Sequence, residues 1–131
     1  MADRLLLAVL FITCAIAAWA LLNRLTIRRL AKEMPGDPLL ANVPDGMPVI
    51  VYFTTPFCEP CRTQQRPALQ KVQTERPVHV IQIDASEQPD IAERWGVFSA
   101  PTTFILDDRH IPRHVNRGVA SAETIKKQLE V

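Results

Sequence analysis

An uncharged apolar run near the amino terminus constrains this chain more than any other feature. Residues 5–22 have the sequence LLLAVLFITCAIAAWALL, in which all eighteen positions lack a charge. At about 1.5 Å per helical residue the run is about 27 Å long, which is close to the thickness of a bilayer's hydrocarbon core. It predicts a transmembrane helix within residues 1–24. A cleaved signal peptide is the alternative, because Ala18, Trp19 and Ala20 have the small-x-small pattern of a cleavage site.

Basic residues are concentrated just after this run. The first 32 residues contain five of the fifteen Lys and Arg residues but only one of the fourteen Asp and Glu residues. Because basic residues beside a span tend to stay in the cytoplasm, the charge predicts a cytoplasmic domain, and the same side chains can rest on anionic headgroups. The rest of the chain carries ten basic and thirteen acidic residues, which excludes the basic stripe of a nucleic-acid-binding protein.

The chain beyond residue 24 divides into two further parts. Residues 25–47 are predicted to form a basic juxtamembrane segment and a linker, because the stretch 34–47 contains three prolines and two glycines. Residues 48–131 are predicted to form one folded domain. Its hydrophobic patterns indicate strands at 49–54, 78–84, 102–106 and 113–118, and helices at 58–75, 89–95 and after Ser121. We expect a kink at Pro67 and a left-handed helix end at Gly96. This order predicts an α/β fold with a mixed sheet between helices.

A pair of cysteines carries the chemistry. Residues 57–61 have the sequence FCEPC and lie between a buried strand and a helix. Two cysteines three apart in a first helical turn place their sulfurs within bonding reach, and the free amides there favour a thiolate on Cys58. Cys61, deeper in the helix, is predicted to be the resolving thiol, and Pro60 suits a position that needs no N–H donor. Cys14, inside the apolar run, is predicted to be a small hydrophobic residue.

The segment from Pro48 to Val131 resembles the thioredoxin family. Besides the cysteine pair, residues 100–102 (APT) match the family's cis proline beside the disulfide, Asp84 matches the end of its central strand, and Gly118 matches its late glycine. The resemblance implies a thioredoxin-like three-layer sandwich with a mixed central sheet, preceded by one transmembrane helix. The stretch before Pro48 is too short for the family's first strand and helix, which we expect to be missing.

The resemblance also implies an activity, thiol:disulfide exchange with protein substrates. Cys58 and Cys61 are then the catalytic pair, and Phe57, Ala100 and Pro101 bind the substrate. The expected partners are protein disulfides and a redox partner protein, and neither an organic cofactor nor a metal is required. We further expect the aromatic side chains of Phe57, Trp95 and Phe98 to line the contact surface.

Three positions depart from the family's pattern. Phe57 replaces a tryptophan, Glu59 replaces a glycine, and Tyr52 replaces a buried acid that assists the resolving thiol. A carboxylate at Glu59 is expected to raise the pKa of Cys58 relative to a glycine there, which favours the reducing direction. The general base for Cys61 is left open by the change to Tyr52.

Other functions fit the sequence less well. His110 and His114 have the spacing of a zinc pair, but forty-eight residues separate Cys61 from His110, far more than a zinc finger allows. Haem attachment is excluded because Arg62, and not histidine, follows Cys61. The remaining alternative is a membrane-tethered binding or assembly module that keeps the fold without turnover.

Overall fold

A computed structural model describes residues 1–33 and 37–130 of the chain. Its elements are, in order, α1 (Ala2–Glu33), a 3-10 turn (Pro38–Leu40), β1 (Val49–Thr54), a π-helical turn (Cys61–Gln65), α2 (Arg66–Glu75), β2 (His79–Asp84), α3 (Pro89–Arg94), β3 (Thr102–Leu106), β4 (Pro112–Arg117) and α4 (Ala122–Leu129). Every predicted strand forms, with ends that differ by a residue or so, and the helix expected at 58–75 divides into the π-helical turn and α2. The helix predicted within residues 1–24 extends to Glu33. Gly96 has a φ of 70°, as its position after α3 predicts, and the Ser121 hydroxyl accepts the Thr124 N–H at 3.2 Å.

The four strands form one mixed sheet in the order β2-β1-β3-β4. β1 pairs with β2 in parallel and with β3 in antiparallel orientation, and β3 pairs with β4 in antiparallel orientation. All six residues of β1 are buried because the strand is central and covered on both faces, which explains its continuous apolar sequence. The predicted fold class is confirmed.

Alternate residues of β1 enter two hydrophobic layers, one on each face of the sheet. On the first face Phe53 packs with Trp95 and Phe104, whose ring centroids lie 5.2 Å apart. On the second face Ile50 and Tyr52 pack against side chains of α2 and α4, among them Leu69, Val72 and Ile125. The sheet is therefore covered on both sides, which places the loops at its ends where partner molecules can reach them.

Helix α1 extends well beyond the apolar run, and its last turns pack onto the first face of the sheet. By length and composition this helix can cross a membrane. Near its carboxyl end Leu30 is only 1% exposed and lies in the same cluster as Trp95. Burying a leucine this completely contributes about 1.5–3 kcal/mol. The amino-terminal helix and the domain are therefore joined by core packing.

The predicted linker also packs against the domain, as far as it lies within the described residues; positions 34–36 fall outside them. Leu40 and Val43 are buried in the first-face cluster, and the Asp37 carboxylate pairs with the Arg94 guanidinium at 3.2 Å. Pro38 begins the 3-10 turn and Gly46 has a φ of 84°, so the described part of this stretch turns and brings two apolar side chains onto the sheet.

Pro67 lies just after the π-helical turn. The Arg66 N–H donates to the carbonyl of Cys61, five residues earlier, which is the bonding pattern of a π-helix. Pro67 then occupies the first turn of α2, where no N–H donor is needed. The irregularity expected at this proline is thus a wide turn directly after the cysteine pair.

Candidate active site

Cys58 and Cys61 form a disulfide at the start of the helical segment that follows β1. The two sulfurs are 2.03 Å apart and the Cα atoms 5.2 Å apart. The Cys61 side chain is buried, with 2% exposure, whereas Cys58 is half-buried. The Cys61 N–H donates to the Cys58 sulfur at 3.2 Å. The sulfur that a partner can reach is therefore that of Cys58, and it already faces an amide donor that stabilises negative charge.

The loop before the disulfide exposes one large apolar side chain. Phe57 is 96% exposed, and the Cys58 N–H donates to the carbonyl of Thr55 at 3.2 Å, which holds the turn closed. Glu59 forms an exposed ion pair with Arg62. This cation partly offsets the negative charge that Glu59 brings next to Cys58, so the effect of the carboxylate on the thiolate is smaller than the sequence alone indicates.

A cis peptide bond joins Ala100 to Pro101 at the same end of the sheet. Ala100 and Cys58 both pack against the second-face cluster, which includes Cys61, and Pro101 is buried. The Pro101 carbonyl accepts the Gly118 N–H at 2.9 Å. The structure thus brings the disulfide, the proline loop and the late glycine together. An open groove of about 390 Å³ runs beside them and is lined by Thr55, Ala85, Pro89, Ala92, Phe98 and Ala100, among others.

Comparison with known proteins identifies this arrangement. The family model Thioredoxin matches residues 38–131. The chain belongs to the thioredoxin family. It is 34% identical over 65 residues to Thioredoxin 1 of Synechococcus elongatus, a match that covers 48% of this chain and 60% of that protein. It is 32% identical over 84 residues to NADPH-dependent thioredoxin reductase 3 of Arabidopsis thaliana, covering 63% of this chain and 16% of that protein. The chain thus spans less than two thirds of the length of these relatives.

Solved thioredoxin structures have the same fold. Mitochondrial thioredoxin 3 of Saccharomyces cerevisiae, in its oxidised form, superposes with a TM-score of 0.56 at 25% identity, covering 66% of this chain and 78% of that one. Thioredoxin 1 of Thermosipho africanus superposes with a TM-score of 0.56 at 24% identity, covering 63% of this chain and 90% of that one. The resemblance to the thioredoxin family predicted from the sequence is confirmed.

The tyrosine that replaces the thioredoxin acid has a structural contact with the active site. Tyr52 is 1% exposed, and its hydroxyl donates to the backbone carbonyl of Cys61 at 3.3 Å. It therefore holds the backbone of Cys61 and makes no hydrogen bond to either sulfur. A buried phenol thus anchors the start of the thioredoxin helix in this chain.

A carboxylate does line a small cleft beside the disulfide. The cleft, about 230 Å³ in volume, is bordered by Cys58, Arg62, Arg66 and Asp84, together with residues 54–56 and Gln82. The Ser86 hydroxyl donates to Asp84 at 2.5 Å, and this bond, with the backbone amides that follow, holds the pKa of Asp84 below its usual range. Asp84 is therefore an anion at neutral pH, and its lowered pKa makes it a weak proton acceptor.

Sequence reasoning missed one buried polar residue of the site. Gln65 has no exposed surface, and its side-chain amide bonds both backbone groups of Ala120, in the loop before α4. The signal was present, because Gln65 stands four residues before Leu69 and seven before Val72 and therefore shares their inward face. The thioredoxin helix that carries Cys61 is thus bonded directly to the loop that follows Gly118.

One of the aromatic residues predicted to line the contact surface does not do so. Trp95 has no exposed surface and packs with Phe53 and Phe104 in the first-face cluster. The sequence placed it next to Gly96 on a short helix, and only the packing of that helix on the sheet decides that its ring points inward. Phe57 and Phe98 do remain exposed, at 96% and 68%.

The histidines do not form a metal site within the described residues. His110 stands at the β3–β4 hairpin with a φ of 63°, and its Nε2 lies 3.2 Å from the carbonyl of Pro44. His114 lies in β4, where burial and the neighbouring Arg113 lower its pKa. No group of three His, Cys, Asp or Glu side chains that could hold a metal ion occurs in residues 1–33 and 37–130.

Proposed function

We propose that this protein is a membrane-anchored thiol:disulfide oxidoreductase that exchanges disulfides with protein substrates through Cys58 and Cys61. The observation that carries the proposal is the difference in exposure between the two cysteines of the disulfide. The Cys58 sulfur is accessible and accepts an amide hydrogen bond, whereas Cys61, to which it is joined, is buried. Phe57, Ala100 and Pro101 are assigned to substrate binding, because all three lie at the end of the sheet that carries the pair. Membership of the thioredoxin family supports the same reaction class.

The reaction consists of two thiol exchanges. In the reduced pair, the Cys58 thiolate attacks one sulfur of a partner's disulfide, forms a mixed disulfide and releases the first partner thiolate. Cys61, as its thiolate, then attacks the Cys58 sulfur, forms the Cys58–Cys61 disulfide and releases the second partner thiolate. Two electrons pass from the pair to the partner, and a dithiol donor must return them. The proton lost when the Cys61 thiol becomes a thiolate is released to the solvent.

The proposed direction is reduction of the partner. Glu59 next to Cys58 disfavours the thiolate, and a less stable thiolate makes a pair a poorer oxidant. The ion pair with Arg62 limits this effect. Measuring the reduction potential of the full chain against glutathione tests the direction: a potential near that of the cytosolic glutathione pool supports a reductase, and a much more oxidising one contradicts it.

An insulin-reduction assay with dithiothreitol tests the activity. The full chain, purified in a mild detergent, is expected to accelerate insulin reduction, and Cys58→Ser is expected to abolish the acceleration. Cys14→Ser is the matched control, because Cys14 lies on the apolar part of α1 and is free. Activity that survives Cys58→Ser, or a wild-type chain without activity, contradicts the proposal. A wild-type chain without activity favours the second candidate, a binding or assembly module. The replacement of two family residues by Tyr52 and Phe57 is the reason for considering that candidate.

We propose further that α1 is retained as a single-pass anchor with the domain on the cytoplasmic side. The uncharged run supports the anchor, and Arg24, Arg28, Arg29 and Lys32 after it support the orientation. The intact mass of protein extracted from membranes is expected to include residues 1–20, whereas a shortened chain indicates a signal peptide. A reporter that is active on one side only, fused after residue 131, tests the orientation.

A further inference from the structure

Strand β4 lies along α1 and runs toward the apolar end of that helix. A groove between the two is lined by Asn23, Arg24, Ile27 and Arg28 on the helix side and by residues 113–115 on the strand side. At the other end of β4, the Arg117 side chain donates to Asn23 at 3.3 Å. Residues 115–121 border a second cavity with Trp19 and Asn23. The part of α1 beside the chain therefore shifts from residues 23–28 at the start of β4 to residues 19–23 at and beyond its end, toward the apolar run.

The active site lies at this same end of the sheet. Thr102, which follows the cis proline, pairs with Arg117, and Phe53, near the end of β1, pairs with Thr102. Since β1 and β4 are both antiparallel to β3, they end on the same side, and the Cys58–Cys61 disulfide follows the end of β1. The disulfide end of the domain therefore faces the apolar run of α1, and the β3–β4 hairpin faces away from it.

The active-site end lies close to the apolar run. Trp19, inside the run, borders a cavity with Gly118 and Val119. Asn23, the first residue after the run, bonds Arg117, whose guanidinium lies 4.5 Å from the ring centre of Phe98. The headgroup layer adds only about 5–8 Å to each side of the hydrocarbon core. Phe98 and Val119, which are 68% and 43% exposed, therefore lie at the level of this layer.

Several contacts hold the domain in this orientation. Leu30 is inserted in the first-face cluster. Arg117 donates to the carbonyl of Gly96 at 3.1 Å and to the Thr26 hydroxyl at 3.5 Å, in addition to its bond with Asn23. Because the buried Leu30 and two of these hydrogen bonds, those to Asn23 and Thr26, act on α1, the domain is fixed relative to that helix.

We infer that the substrates are integral membrane proteins whose disulfide lies at the bilayer surface, within a few residues of a span. This inference rests on the proposed function and on a retained anchor. A water-soluble protein would have to enter the narrow space between the disulfide and the bilayer. A disulfide carried on a neighbouring span reaches that level without such a barrier. Phe57 and Phe98 present exposed apolar side chains that suit a partner emerging from the membrane.

A depth measurement tests the orientation. The full chain with Cys14→Ser, its disulfide kept oxidised, receives a single fluorophore on Val119→Cys or, as the matched control, on Asp108→Cys at the β3–β4 hairpin. A six-residue strand puts the two sites about 20 Å apart. In vesicles of phosphatidylcholine and phosphatidylglycerol in equal amounts, with a nitroxide on the lipid headgroup, we expect loss of fluorescence at 119 and none at 108. Equal quenching at both sites, or quenching at 108 alone, overturns the inference.

An exchange assay tests the substrate class. Two synthetic transmembrane peptides carry the same disulfide, one two residues from its span and the other about twenty-five residues away on a flexible spacer. In vesicles with dithiothreitol as the donor, the short-spacer peptide is expected to be reduced about tenfold faster, because only its disulfide is held at the height of Cys58. In detergent the two peptides are expected to react alike. If the long-spacer peptide is reduced faster in vesicles, the inference about the substrates is overturned but the proposed function stands. If neither peptide is reduced in detergent, both the proposed function and this inference are overturned.

Discussion

The side-chain amide of Gln65 forms two hydrogen bonds with the backbone of Ala120, fifty-five residues further along the chain. Its Nε2 donates to the Ala120 carbonyl at 3.1 Å, and its Oε1 accepts the Ala120 N–H at 2.8 Å. Both partners are buried. The pairing joins the helix that begins with Cys61 to the loop that follows Gly118, and Gly118 in turn bonds Pro101. Gln65 therefore helps to fix the position of the cysteine pair relative to the proline loop.

Replacing this glutamine is expected to destabilise the protein. Gln65→Ala leaves a buried N–H and a buried carbonyl without partners, which costs about 2–4 kcal/mol of unfolding free energy. Urea unfolding of the full chain in mild detergent measures the loss. Gln64→Ala is the control, because Gln64 is exposed and stands on the same helical turn, and we expect a change within about 0.5 kcal/mol. Equal effects of the two substitutions would contradict the role given to Gln65.

Replacing the resolving cysteine is expected to trap partners. In Cys61→Ser the accessible Cys58 sulfur still attacks a disulfide, but nothing releases the mixed disulfide that forms. Non-reducing gels of membrane extracts are expected to show adducts that dithiothreitol removes. The double substitution Cys58→Ser with Cys61→Ser is the control. Adducts of the same size in the double variant would show that Cys58 is not the attacking sulfur.

The packing of α1 predicts a stability effect far from the active site. Leu30→Ala removes a buried side chain from the first-face cluster and is expected to cost about 2–4 kcal/mol. Leu25→Ala, on the same helix at 52% exposure, serves as the control and is expected to be nearly neutral. Thermal unfolding followed by near-UV circular dichroism compares them. A neutral Leu30→Ala would mean that the helix does not pack on the domain.

The β3–β4 hairpin predicts a dependence on pH. Burial alone would raise the pKa of Asp107, but hydrogen bonds from the Ile111 N–H, the Arg113 side chain and the Arg109 N–H together lower it. The carboxylate therefore stabilises the fold above its unfolded pKa of about 3.9, and this contribution is lost as the pH falls through the lower folded value. Asp107→Asn is expected to cost about 1–2 kcal/mol at pH 7.

The difference in unfolding free energy between wild type and Asp107→Asn is expected to narrow as the pH falls below about 4 and through the lower folded pKa of Asp107, since its carboxylate becomes protonated over that range. Urea unfolding at a series of pH values measures it. Asp108→Asn is the matched control, because the neighbouring Asp108 is exposed and no hydrogen bond to its carboxylate occurs in the described residues. A gap that stays constant from pH 7 to about pH 3 would contradict the role of the charge.

The features that the sequence determined by itself are those that depend on neighbouring residues. The buried central strand followed from six consecutive apolar and β-branched residues, the disulfide from two cysteines three apart before a helix, and the helix ends from Gly96 and Ser121. Each of these signals acts over one or two turns of backbone, where spacing alone fixes which groups meet. The match of several motifs in one order was enough to predict the thioredoxin fold.

Only the tertiary structure decided how separate segments meet. Trp95 and Leu30 share one cluster, Gln65 bonds Ala120, and β4 lies along α1 so that the disulfide end faces the apolar run. Such contacts join residues far apart in the chain, and they depend on how well two shaped surfaces fit each other. Hydrophobic periodicity shows that a side chain faces inward, but it carries no information about the segment that covers it. The direction of the active site relative to the apolar run is therefore a property of packing.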